Sequence, residues 1–269
     1  MLGIIAGSGW NQYLNDLTIK NPELVEVCYE SVSRYDLQAK QLYRLSLGSD
    51  SKPRSLYILL RHGSEHKIAP HLIDYKKNIK TMAMLGVRDL VGLNLVGAIE
   101  PNIVPGTLLL PSDLIDYTYG RESSFSSDTE TTFSINAYLD FAQPFDSVLR
   151  DSILRAAKLA DIALLSSGVY GCTQGPRLET AAEIRRLKRD GCSVVGMTAM
   201  PEAALAKELG LRYAPLCSVV NFASGVRSNQ TNWRTNSATL IEDICEAMSI
   251  TQPNSMKVIS ALSSLFVSG

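Results

Sequence analysis

The sequence predicts an α/β fold: a single-domain, three-layer sandwich with a mixed, mostly parallel central sheet. Three observations on this 269-residue chain lead there. Short apolar runs bounded by turn residues recur at 2–6, 56–60, 90–96, 107–110, 163–170, 194–197 and 213–222, as strands buried on both faces do. Segments with helical periodicity alternate with several of these runs, which favours strand–helix crossovers over hairpins. Glycines and polar residues gather just after the runs, where open α/β sheets place their ligands.

The elements follow in order. The first run ends at Gly7-Ser8-Gly9, where glycine lets backbone approach a ligand and the Ser8 hydroxyl can cradle a phosphate; a tight turn is the alternative. Trp10, Asn11 and Gln12 follow without a third glycine, so this is no dinucleotide fingerprint. The run 56–60 ends at Arg61-His62-Gly63, with His66 and His71 close behind. A guanidinium fork beside an imidazole suits a phosphate dianion, and a solvated loop is the competing reading. These are the chain's three histidines, so a metal must be weighed. The spacing is not His-Glu-x-x-His, and Gly63 and Pro70 disfavour a helix, so no metal is expected.

A helix is expected over 75–85. The next strand carries Asn94, Leu95 and Gly97 toward its end, either as a plain strand end or as a further part of an anion site. A helix over 148–160 is capped by Asp146 or Ser147, and one over 180–188 opens with the capping box Thr180-Ala-Ala-Glu183. Glu179, directly before that cap, either complements the helix end or faces a ligand N–H. The run 193–195 stops at Gly196, and Met197, Thr198, Pro201 and a helix over 202–209 closed by Gly210 follow. Strand, tight turn and helix N-terminus make a favourable place for anions. Asn221 ends the last strand, as a ligand contact or a satisfied turn residue. Two helices, 237–248 and 255–266, complete the chain, and segments 123–132 and 225–236 read as mobile loops.

Composition bounds the function. The chain is 45% hydrophobic and 20% charged, with a net charge of −1, so no basic field would attract nucleic acid or an anionic membrane. Five scattered cysteines without a Cys-x-x-Cys pair predict reduced thiols in the cytoplasm. No signal peptide or membrane span is expected.

Taken together in this order, these pieces resemble the trimeric purine nucleoside phosphorylase family, nearest its methylthioadenosine and methylthioinosine phosphorylase branch. The best segments are Arg61-His62-Gly63 with His71 and Tyr75, residues 113–122 (DLIDYTYGRE), 171–183 (GCTQGPRLETAAE) and 196–206 (GMTAMPEAALA). The resemblance runs from Gly3 to about Gly225. It implies that Ser8, Arg61, His62, Asn94, Leu95 and Thr198 hold phosphate, with Asn221, His62 and Thr198 as the catalytic set. It further implies that Met197, Asn221, Ala223, Glu179, Leu178 and Tyr138 line the nucleoside site, Tyr138 being lent to a neighbouring subunit. Inorganic phosphate would be the co-substrate, without metal or organic cofactor, and the assembly a homotrimer.

Residue chemistry refines the substrate. A 6-oxopurine presents an acceptor at O6 and a donor at N1, matching the amide of Asn221 and the carboxylate of Glu179. Adenosine-type members place aspartate where this chain has Asn221 and Ala223. No histidine follows His71 to meet a 5′-hydroxyl, and Leu240, Ile241 and Ile244 offer an apolar pocket instead. The expected nucleoside is S-methyl-5′-thioinosine.

Overall fold

The structure, a computed structural model, describes residues 1–21, 23–28, 41–47, 54–126, 138–226 and 240–266. The expected loops fall mostly outside these residues, as do 237–239. Eleven strands form one sheet: β1 (Leu2–Ala6), β2 (Val25–Val27), β3 (Leu42–Leu47), β4 (Arg54–Leu60), β5 (Asp89–Ala98), β6 (Leu108–Leu109), β7 (Asp113–Asp116), β8 (Leu164–Leu165), β9 (Val169–Cys172), β10 (Val194–Gly196) and β11 (Arg212–Phe222). The main path runs β2-β3-β4-β1-β5-β10-β9-β7, with β11, β6 and β8 branching from β5. Pairing is mixed and mostly parallel, the antiparallel ladders being β2–β3, β3–β4, β5–β10 and β6–β11.

Helices cover both faces. On one, α1 (Trp10–Lys20), α3 (Ser147–Leu159) and α6 (Leu240–Leu265) bury Trp10, Leu14, Leu149, Ile153, Val258 and Leu262. On the other, α2 (Tyr75–Met84) and α5 (Ala199–Glu208) bury Ile79, Met82, Ala203 and Leu205, while α4 (Ala181–Arg189) packs Ile184 and Leu187 in a smaller cluster. Asp146 caps α3 by accepting from Leu149 N, and Thr180 and Glu183 close the capping box of α4.

Two expectations need correction, and four elements were not expected. The run 163–170 is two strands, because β8 joins β6 while β9 joins β7 and β10 at another part of the sheet. The two C-terminal helices are one, running through Pro253. Proline removes a backbone donor, but Ala247, Thr251, Ser255, Val258 and Leu262 keep one face buried across it, and that packing outweighs the lost bond. The four unexpected elements are helix α1 and strands β2, β3 and β7.

Strand β5 positions the site. One of its edges pairs with β11 along its whole length. The other is shared: β1 covers residues 89–93 in parallel, and β10 meets Gly97 and Ala98 from the opposite direction. Between them, Asn94, Leu95 and Val96 have no strand partner on that edge among the described residues. The ends of β1 and β10 face each other across this opening, which brings Gly7 and Ser8 toward Met197 and Thr198.

Candidate active site

Arg61 leaves β4 and buries its guanidinium beneath the opening. Its Nη2 donates to Ile5 O at 2.7 Å, and its Nη1 to Thr198 Oγ1 at 2.9 Å and Leu93 O at 3.2 Å. Both Nη atoms lie 3.2 Å from Asn94 Oδ1. Nε is in ionic contact with Glu202 Oε1 at 2.9 Å, off the line of a hydrogen bond, and Nη2 reaches Glu202 Oε2 at 3.3 Å. Tyr213 OH also donates to Glu202 Oε2, at 2.8 Å. Burial pushes the Glu202 carboxyl up, while Arg61 and the Tyr213 hydroxyl pull it back. The cation and anion neutralise each other in place, so the Arg61 fork is occupied by the protein itself.

That network directs Thr198. Its hydroxyl oxygen accepts from Arg61 Nη1 and, at 3.3 Å, from Asn94 Nδ2, and it caps no helix. With its lone pairs used, the hydroxyl can only donate, and Thr198 lines the cavity. His62 also lines it. Its Nδ1 donates to Ile68 O at 2.8 Å, and burial holds it down to about 4, so the neutral ring keeps a bare Nε2. His66 Nε2 lies 2.8 Å from the hydroxyl of Ser8.

The far end of the cavity is built by a bulge in β11. Val219 sits opposite Val96 and Asn221 opposite Gly97, leaving Val220 as the extra residue. A bulge of this kind re-aims the side chains beside it. Asn221 Nδ2 donates to Phe222 O at 2.9 Å, and among the described residues its second N–H and its carbonyl have no partner. Glu179 Oε1 accepts from Thr173 Oγ1 at 2.6 Å, leaving its other oxygen unengaged by that bond. Gly196 lines the wall between, and a Cβ there would collide with the Tyr170 hydroxyl. This close approach, not a left-handed backbone, ends the β-branched run at glycine.

A sequence profile of the phosphorylase superfamily matches residues 2–260 of this chain. The chain belongs to the phosphorylase superfamily. A probable S-methyl-5′-thioinosine phosphorylase of Xylella fastidiosa is 51% identical over 165 residues, 61% of this chain and 68% of that protein. A probable 6-oxopurine nucleoside phosphorylase of Thermococcus kodakarensis is 35% identical over 232 residues, covering 85% and 82%. Among solved structures, methylthioadenosine phosphorylase from Schistosoma mansoni in complex with adenine superposes with a TM-score of 0.78 at 22% identity, covering 100% of this chain and 92% of that one. At that identity the likeness is one of fold.

In this phosphorylase-superfamily chain the cavity brings together Ser8, Arg61, His62, Leu95, Leu178, Glu179, Met197, Thr198, Asn221 and Ala223. Two expected residues lie elsewhere. Asn94 is buried behind Arg61, its oxygen and nitrogen taken by Arg61, Tyr170 and Thr198, so it orients the wall and does not form it. Tyr138 is 94% exposed and outside the cavity. Of the three C-terminal apolar residues, Ile244 lines the cavity, Leu240 does not, and Ile241 is 73% exposed. No group of three or more metal-binding side chains converges among the described residues.

Sequence reasoning missed Glu202, the counter-charge of Arg61, although a lone carboxylate in the apolar run Ala-Met-Pro-Glu-Ala-Ala-Leu-Ala was a legible signal. It also missed Arg121, although the residue lies in the segment 113–122 (DLIDYTYGRE) that carries the family resemblance.

Proposed function

We propose that this chain cleaves purine nucleosides by phosphorolysis, with S-methyl-5′-thioinosine as the preferred nucleoside, yielding hypoxanthine and 5-methylthioribose 1-phosphate. One observation carries the reading: hydroxyl donors at one end of a single cavity and an amide–carboxylate pair at the other, with Met197 and Ile244 also in its wall. The names of the relatives from Xylella fastidiosa and Thermococcus kodakarensis support the same chemistry.

In the proposed reaction, hydrogen phosphate sits between Ser8 and Thr198, which donate to its oxygens. Its own P–OH donates to the bare Nε2 of His62. A phosphate oxygen bonds to C1′ as the C1′–N9 bond breaks, and that electron pair moves into the purine. N7 takes a proton from water as the P–OH of the new sugar phosphate releases its own to solvent, and the N7–H donates to the carbonyl of Asn221 while the other amide N–H meets O6. Glu179 accepts from N1–H. Adenine would bring its N1 acceptor against the same carboxylate, a mismatch costing on the order of 1–3 kcal/mol. Met197 and Ile244 exclude water from the sugar and receive the methylthio group. The chemistry needs positioning and electrostatics, without metal or organic cofactor.

The assembly is a homotrimer in this proposal, with Tyr138 reaching a neighbouring subunit; its exposed ring beside Leu139, also exposed, supports that. Cytoplasmic purine salvage is the proposed setting, supported by five free cysteines.

The test is purine release from methylthioinosine, methylthioadenosine and inosine, each with and without phosphate. Rapid, phosphate-dependent release from methylthioinosine above the other two is expected. Preference for inosine would make the chain a 6-oxopurine nucleoside phosphorylase, preference for methylthioadenosine would overturn the Asn221–Glu179 argument, and phosphate-independent release would make it a hydrolase.

A further inference from the structure

Strands β7, β9 and β10 lie side by side in parallel, so the segments after them leave the sheet at one end. Two of those segments carry residues of the cavity: 173–180 holds Glu179, and 197–200 holds Met197 and Thr198. The third carries Arg121, which is outside the cavity but reaches across both. Its Nη2 donates to Gln174 O at 2.8 Å and Thr173 O at 3.3 Å, and its Nε to Gln174 Oε1 at 3.2 Å. Its Nη1 donates to Met197 O at 2.8 Å, to Met200 O and to Tyr75 OH at 3.1 Å. The Tyr75 ring lies 5.3 Å from the guanidinium carbon.

All six acceptors are neutral. Turns this sharp leave carbonyls that no neighbouring strand can satisfy, and buried carbonyls need donors. A planar group with five N–H donors meets them at once, which an ammonium point charge cannot do. We infer that Arg121 is a positioning residue that sets the distance between the base-reading carboxylate of Glu179 and the sugar-facing turn at Met197. The link to Glu179 is short: Thr173, whose carbonyl Arg121 holds, donates its hydroxyl to that carboxylate. Arg121 makes no hydrogen bond to the phosphate-side groups Arg61, Asn94, Thr198 and Glu202 and reaches Thr198 only through the carbonyls of Met197 and Met200 beside it, so its loss falls more heavily on the nucleoside than on phosphate.

This rests on the proposed phosphorolysis, and the experiment separates the two. Phosphate and nucleoside KM, kcat and hypoxanthine binding by calorimetry are measured for wild type, Arg121→Lys and Arg121→Ala. The Lys variant is expected to raise the nucleoside KM by about 10-fold or more and weaken hypoxanthine binding similarly, with phosphate KM changed by less than about threefold. Guanidinium ion, and not methylammonium, should restore part of the activity of the Ala variant. An unchanged nucleoside KM in a folded Lys variant overturns the inference. So does an equal loss toward both substrates with a lowered melting temperature and no guanidinium rescue, which marks a purely structural residue. A wild type that neither turns over a purine nucleoside nor binds hypoxanthine removes the proposed function and this inference together.

Discussion

Replacing Thr198 by valine tests the oxyanion end of the cavity with little risk to the fold. The hydroxyl accepts from Arg61 Nη1 at 2.9 Å and from Asn94 Nδ2 at 3.3 Å. Neither donor is orphaned when it goes: Nη1 keeps Leu93 O and Asn94 Oδ1, each at 3.2 Å, and Nδ2 keeps Tyr170 OH at 3.4 Å. The stability cost is therefore about 1 kcal/mol or less, a fall of roughly 2–4 °C in melting temperature for a chain of this size. The functional loss is larger, because a hydrogen bond to a charged oxyanion contributes about 1.5–3 kcal/mol. At about 1.4 kcal/mol per factor of ten, the phosphate KM should rise about 10- to 100-fold. Nucleoside KM should stay near wild type. The assay is initial-rate purine release against phosphate at saturating nucleoside, with a parallel melting curve and Thr198→Ser as the control that keeps the hydroxyl. A phosphate KM within about twofold of wild type in a folded valine variant would refute the argument that the network turns this hydroxyl toward phosphate.

Other outcomes follow from the same geometry. Asn221→Asp sets a carboxylate against Phe222 O, where the amide now donates at 2.9 Å; the kcat/KM ratio of methylthioinosine to methylthioadenosine should fall by about 10-fold or more, checked by substrate profiling. Glu202→Gln leaves the Arg61 cation buried without a counter-charge and should cost about 3–5 kcal/mol, read by denaturant unfolding. His62 is held to about 4 against an ordinary 6.5. On acidification the unfolded imidazole therefore takes its proton first, and stability should decline between pH 6.5 and about 4. His62→Gln should flatten that part of a stability–pH curve measured by urea unfolding.

Much of the architecture was legible because buried strands and capped helices write themselves into local pattern. The runs at 2–6 and 213–222 returned as β1 and β11, and the Thr180–Glu183 box as the start of α4. Patterns failed where the partner was remote. Nothing in residues 163–170 says that their halves belong to different parts of the sheet. Nor does Pro253 announce that packing on both sides of it will carry one helix through.

The site divides along the same line. The chain alone determined which chemistries were available: an arginine and a histidine after one strand, a threonine before a helix, an amide and a carboxylate near strand ends. Those are short-range facts of residue type and spacing. Only the tertiary structure decided their roles, because hydrogen-bond saturation depends on groups far away in sequence. Glu202, 141 residues from Arg61, takes up the guanidinium that the chain alone offered to phosphate. Asn94 and Arg61 together turn the Thr198 hydroxyl into a donor. The opening along β5 exists only because β1 and β10 stop short of each other. A charge or a lone pair is free for chemistry only when no neighbour has claimed it, and which neighbours are present is a property of the fold.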